Sequence, residues 1–254
     1  MNKLFFNLTF IFVLAPLSWG EIKATEIMGK MDFWTKITTD VTSQFTITQQ
    51  RVKQGTKIMK GLYYRRDKDD AFLIFFTAPD SDKGTGYLRE GENMWFYPRN
   101  ERKFQLINRN ENVGGTDARA GDFEARKITE LYEVRKDENG KEILREETLG
   151  KIPVYYLEVV AKVKDVTYPR KSYWVTRDKF LLLKEQSFAA SGTLMQTAVY
   201  LKYTMINKKY FPLKQIFIDE FDKGNSTMLE ISGISTDKID DAVFTKAYLE
   251  NLSK

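Results

Sequence analysis

The sequence contains no cysteine and no histidine. That excludes disulfides, thiolate nucleophiles, Cys/His zinc sites, imidazole general bases and haem histidine ligands, and with them much of enzyme chemistry. Proline is scarce, at 6 residues, and no stretch beyond the amino terminus approaches the ~20 apolar residues that span a bilayer. Charge is not segregated either: 40 Lys and Arg are interspersed with 35 Asp and Glu for a net +5. Such a balance confers solubility and a weak attraction to anionic surfaces, but not the basic stripe that nucleic acid requires. With no linker rich in Pro, Gly or Ser and no exact repeat, the 254 residues read as one large β-rich unit, residues 21–254, behind a short leader.

The leader is residues 1–20. Lys3 supplies a cationic start, Leu4 to Leu17 are almost entirely apolar, and Ser18-Trp19-Gly20 place small residues at the minus-three and minus-one positions. This is the pattern of an export signal cut after Gly20. No cysteine follows to be acylated, so the expected location of the mature chain is the periplasm.

Residues 22–38 carry Ile27, Met31 and Trp34 at helical spacing, with Met28 and Ile37 beside them, and predict one amphipathic helix. From Asp40 the period falls to two. Alternating runs at 41–53, 56–66, 71–77, 86–89, 93–97 and 102–109 are separated by turn residues such as Gln54-Gly55, Glu90-Gly91 and Pro98-Arg99-Asn100, and read as an antiparallel meander. Residues 110–127, with Gly114-Gly115 and Gly121, interrupt it and suit one or two short helices forming a mobile lid. Strands resume at 128–134, 143–149, 154–163, 171–176, 180–187, 197–206, 213–221 and 226–234, and a short terminal helix closes the chain. About 11 to 13 strands and two or three helices result. So few helices cannot cover so many strands, and a sheet with one wet face must curl to bury its apolar face.

Taking the more apolar parity of each strand selects Phe45 and Ile47; Leu62 and Tyr64; Phe72, Ile74 and Phe76; Trp95 and Tyr97; Phe104 and Leu106, followed by Leu157, Val159, Val199, Leu201, Tyr203, Leu229 and Ile231 in the later strands. On one concave surface, plugged by the helix through Met31 and Trp34, these form an interior poor in charge and rich in aromatic rings. Such an interior accepts an apolar ligand without any catalytic group, and acyl chains are the natural guests. No cofactor or metal site is expected: Gly84-x-Gly86 lacks the helix and Lys-Ser/Thr of a phosphate loop, and Asp80/Asp82 and Asp237/Asp240/Asp241 lack calcium-loop spacing. No pair among the acidic residues stands out as a glycosidase dyad. Basic pairs at turns, including Arg65-Arg66, Arg126-Lys127 and Lys208-Lys209, suit contact with anionic head groups or an acidic partner.

The central segment is recognisable: Ala78-Pro79, Gly84-Thr85-Gly86-Tyr87-Leu88-Arg89, Asn93-Met94-Trp95-Phe96-Tyr97-Pro98, and Gly114-Gly115-Thr116-Asp117, with Gly224 to Leu229 and Asp241-Ala242-Val243-Phe244-Thr245 at the end. It resembles the outer-membrane lipoprotein-sorting protein family, relatives of the periplasmic carrier and outer-membrane receptor of the Lol system, along essentially the whole mature chain. The resemblance implies a mainly β, α+β fold: a single curved antiparallel sheet of about 11 strands forming an unclosed half-barrel around an N-terminal helix and a short helical lid. It implies a non-enzymatic carrier of lipoprotein or lipid acyl chains, loaded by an inner-membrane exporter, unloaded to an outer-membrane acceptor, and touching membranes transiently. A sensor or exporter accessory of the same fold is the alternative implied, and a hydrolase or sugar-binding β protein is a third reading. Gly115-Thr116-Asp117 matches the family's Gly-Ser-Asp before the lid, Ala118 replaces the aromatic that usually follows, and Arg89 is the candidate for the arginine that holds the lid shut.

Overall fold

The computed structural model describes residues 22–254; the leader read at 1–20 lies outside them. Its order is α1 (Ala24–Thr35), β1 (Val41–Arg51), β2 (Gly55–Arg66), β3 (Ala71–Ala78), β4 (Gly86–Glu90), β5 (Asn93–Tyr97), β6 (Gln105–Ile107), two 3₁₀ turns (Val113–Gly115 and Ala120–Phe123) and α2 (Ile128–Leu131). There follow β7 (Tyr132–Val134), β8 (Leu144–Leu149), β9 (Ile152–Ala161), β10 (Arg170–Thr176), β11 (Leu182–Phe188), β12 (Leu194–Ile206), β13 (Lys209–Asp219), β14 (Ser226–Ser235), a 3₁₀ turn (Asp241–Phe244) and α3 (Lys246–Leu252).

All 14 strands join one sheet in the order β6-β5-β4-β3-β2-β1-β14-β13-β12-β11-β10-β9-β7, with β8 alongside β9. Every pairing is antiparallel, and the end strands β6 and β7 do not meet, so the sheet is an open half-barrel. Hairpins set the register. Ile206 pairs with Lys209 around Asn207-Lys208, both at positive φ (45° and 63°), the backbone of a two-residue turn whose twist matches its strands. No helix among the described residues is long and apolar enough to cross a membrane.

The inner face carries two separate fillings. α1 turns Ala24, Ile27, Met28 and Met31 onto Leu157, Val159, Tyr173 and Val175 of β9 and β10. The lid segment places Val113, Ala118 and Ala120 on Phe45, Ile47, Ile74 and Phe76 of β1 and β3. On the outer face α3 sets Leu249 against Leu73, Phe75 and Leu88.

Two sequence readings need correction. Residues 128–134 are strand only from Tyr132. The Asp32 carboxylate accepts from the N–H groups of Ile128 (2.5 Å) and Thr129 (3.0 Å), which caps the turn of helix α2 there. Likewise the strand read from residue 180 begins at Leu182, because Phe180 sits in a left-handed turn (φ 56°) with its N–H on the Thr176 carbonyl.

One ion pair ties the carboxyl-terminal segment to the sheet. Arg66, 4% exposed, forks onto Asp40 through Nε (3.0 Å) and Nη2 (2.8 Å), reaches Asp241 with Nη1 (2.6 Å), and lies over the Phe244 ring. Its hydrogen bonds hold the Asp40 carboxyl below its ordinary value. A carboxyl lowered in the folded state contributes stability above its unfolded pKa and loses it as pH falls through the folded value. Asp40→Asn is expected to cost about 2–3 kcal/mol at pH 7, since Asp241 remains to serve part of a buried guanidinium. Urea unfolding is expected to show that gap to wild type narrowing as pH falls below the ordinary aspartate value and closing only below the lowered folded value.

Candidate functional site

A cavity of about 190 Å³ lies in the seam between the two fillings. α1 supplies Met31 and Trp34 on one side, and the lid supplies Phe123 and Glu124 on the other. The floor is Tyr200 and Tyr203 of β12, Phe211, Gln215 and Phe217 of β13, and Leu229 and Ile231 of β14. The seam exists because each filling is anchored away from it. α1 is seated on β9 and β10. The lid is stapled by Asp117, whose carboxylate accepts from Arg51 (2.7 Å) and Thr227 (2.8 Å) while its carbonyl accepts from Gln196 (2.7 Å).

The walls are aromatic with polar tips. Trp34 meets Tyr210 edge-on at 4.8 Å, and Tyr200 and Tyr203 stack at 6.3 Å. The Tyr203 hydroxyl donates to the Leu182 carbonyl at 2.6 Å. Burial pushes the Tyr63 phenol up to about 12 and the Tyr200 phenol well above its ordinary value, so both stay neutral at physiological pH. At the lid end Arg65 is committed to Asp67 (2.5 Å) and to the Thr35 carbonyl (2.8 Å). Among the described residues no group of three or more His, Cys, Asp or Glu side chains could hold a metal ion. The chemistry on offer is burial of apolar surface beside neutral phenols, with Arg65, Asp122 and Glu124 toward the lid.

The thirteen side chains expected to form the lining are divided by the sheet. Met31 and Trp34 line the cavity. Phe45, Ile47, Phe72, Ile74 and Phe76 share the inner face but are already covered by the lid, with Phe72 reaching the cavity wall through Phe123 at 6.2 Å. Leu62, Tyr64, Trp95, Tyr97 and Phe104 lie in the cluster with α3 on the outer face, and Leu106 is 63% exposed. The inner positions of β2 and β5 are instead Met59, Tyr63, Met94 and Phe96. The cause is α3: with both faces of β3 to β5 apolar, alternation carries no sign of which side is in. Lys246 of α3 sits over the Trp95 ring, giving that tryptophan a partner of its own.

Sequence reading missed Phe123, Tyr200, Tyr210, Phe211 and Phe217. Phe123 is in an aperiodic loop, while Tyr200 precedes two register shifts of β12 that break the alternation. Where the family resemblance suggests an aromatic, the lid carries Ala118, fully buried against the sheet, and Phe123 further along supplies the ring against Tyr63 (5.8 Å). Arg89 does meet the lid, its Nη1 lying 3.2 Å from Glu124.

A family model described as "Uncharacterized protein" matches residues 68–251. No curated protein matches the sequence. Among solved structures, a LolA superfamily protein from Nitrosomonas europaea superposes with a TM-score of 0.73 at 20% identity, over 90% of this chain and 100% of that one. An outer membrane lipoprotein-sorting protein domain from Vibrio parahaemolyticus gives 0.76 at 17%, covering 89% and 97%. A DUF1329 family protein from Desulfovibrio piger gives 0.75 at 20%, covering 88% and 96%. The chain belongs to the family defined by the model spanning residues 68–251, and its open half-barrel is the fold of LolA superfamily and outer membrane lipoprotein-sorting structures.

Proposed function

We propose that the protein is a non-enzymatic periplasmic carrier, a single domain over residues 21–254 released by cleavage after Gly20, that shelters an acyl chain of a lipoprotein or lipid and passes it toward the outer membrane. The supporting observation is the aromatic cavity between α1 and the lid, bounded by elements that can separate from each other without breaking the sheet. Its volume of about 190 Å³ is below the roughly 300–1,000 Å³ of pockets that enclose small ligands. A long chain therefore enters by displacing α1 or the lid. Each buried CH₂ contributes ~0.8 kcal/mol, and the apolar contacts that α1 surrenders offset much of it. Loading and release are an exchange of fillings with a small net free energy, which a reversible carrier requires.

The mouth suits brief contact with a membrane carrying the exporter or the acceptor. Phe33 beside it is 53% exposed with Lys209 over its ring, and Lys36, Lys179 and Lys208 are exposed around it. Cations flanking an exposed aromatic favour an anionic surface. Mass spectrometry of the native protein after mild extraction is expected to find bound lipid that moves to acceptor vesicles. Protein with no bound or transferable acyl chain rules out the carrier reading.

A further inference from the structure

The lid carries a buried carboxylate in an unusual position. The Glu124 side chain is 0% exposed and adjoins the cavity, and three guanidiniums surround it: Arg89 of β4 at 3.2 Å, Arg109 at 3.7 Å and Arg126 at 3.9 Å. None is a hydrogen bond in geometry, for both carboxylate oxygens of Glu124 lack a partner. Arg109 and Arg126 also approach the mostly exposed Asp165, at 2.9 Å and 3.6 Å, yet Arg109 Nη1 makes no aligned hydrogen bond there either. The Asp165 carbonyl accepts from Arg126 at 2.8 Å, and Arg89 Nε donates to the Gly91 carbonyl at 2.8 Å. Three cations thus face two anions, one of them nearly in solvent.

The Asp40–Arg66 fork in the same molecule is what a carboxylate–guanidinium pair built for permanence looks like, with two aligned hydrogen bonds at 2.8–3.0 Å. Glu124 has the charge that the arginines need but not the shape. A planar carboxylate cannot present an oxygen along each of three converging forks, whereas a tetrahedral phosphate can. We propose that Arg89, Arg109 and Arg126 form a head-group site for a phosphorylated amphiphile, and that Glu124 occupies it as an internal substitute while the lid is closed. Displacing the Glu124 carboxylate leaves the three arginines beside the apolar seam, so head group and tail are taken up together. This rests on the carrier reading and names the class of cargo: an amphiphile with a phosphate next to its chain.

The test uses the mature chain with three probes below their micellar range: monododecyl phosphate, dodecanol and inorganic phosphate, titrated calorimetrically. Wild type is expected to prefer the phosphate ester over the alcohol by about tenfold, a difference of about 1.4 kcal/mol. Glu124→Gln widens that preference about fivefold further. Arg89→Gln combined with Arg126→Gln removes the preference and keeps alcohol binding. If Glu124→Gln shifts both amphiphiles equally, Glu124 is only a latch and the proposal fails. If inorganic phosphate binds as tightly as the ester, the site serves free phosphate and the head-group assignment is overturned. If dodecanol does not bind while the ester still responds to the variants as described, the carrier reading falls and the anion site stands.

Discussion

Gln215→Glu is expected to empty the cavity while leaving the fold in place. Gln215 lies on the cavity floor, paired across the ladders with Tyr200 on one side and Leu229 on the other. Glutamate has the same outline, so nothing need repack. In the empty protein the new carboxylate keeps its water, and a urea midpoint close to wild type is expected. A hydrocarbon chain pressed against it strips that water without offering a partner, at a penalty of several kcal/mol. Even about 2 kcal/mol of that penalty lowers affinity roughly thirtyfold. Quantifying lipid per mole of protein after identical mild extraction is expected to show retention down by at least about tenfold. Trp95→Ala is the counterpart: it loosens α3 on the outer face and leaves retention unchanged. Equal retention in Gln215→Glu and wild type removes the floor of β12 to β14 from the binding surface.

Gly61→Ala is expected to be the most damaging single methyl in the chain. Gly61 of β2 stands opposite Phe45, and a Cβ there meets the Phe75 carbonyl oxygen at 2.2 Å and the Phe45 ring at 2.3 Å. The ring could turn aside, but the carbonyl belongs to β3 and yields only if the strands part. Overpacking of this kind costs about 3 kcal/mol, which for a chain of this size lowers the melting temperature by about 10 °C. Adding Phe45→Leu is expected to recover only a small part of the loss, because it relieves the ring contact and not the carbonyl. A melting temperature unchanged by Gly61→Ala contradicts the strand spacing on which the inner face depends.

How much of this was legible in the sequence differs strand by strand, and the difference is physical. β1 alternates cleanly, with Phe45 and Ile47 buried and Gln44 and Thr46 less so, because one side of it is wet. Its inward parity could be read from a single chain. β3 could not be read: Phe72, Leu73, Ile74, Phe75 and Phe76 are all buried, two of them, Leu73 and Phe75, by α3 some 170 residues later in the chain. The same cover misdirected the reading of Leu62, Tyr64, Trp95 and Tyr97 toward the interior. The curl of the sheet was legible, since the count of strands against helices demanded it, while the unclosed half-barrel came from the family resemblance; Met31 and Trp34, expected in the lining, do line the cavity. The seam's other wall was not, because Phe123 and Glu124 lie in a loop whose order comes from distant anchors such as Thr227 and Gln196. No local period reports such contacts.

The reading as a whole rests on one face of one sheet. Uptake of a fatty acid carrying a nitroxide near its methyl end, followed by methyl NMR, locates the chain directly. The account predicts selective broadening of Met31, Leu229 and Ile231, on the walls of the cavity, with Leu73 and Leu249 under α3 unaffected. Broadening of Leu73 and Leu249 with Leu229 and Ile231 left sharp places the chain on the wrong side of the sheet and contradicts it.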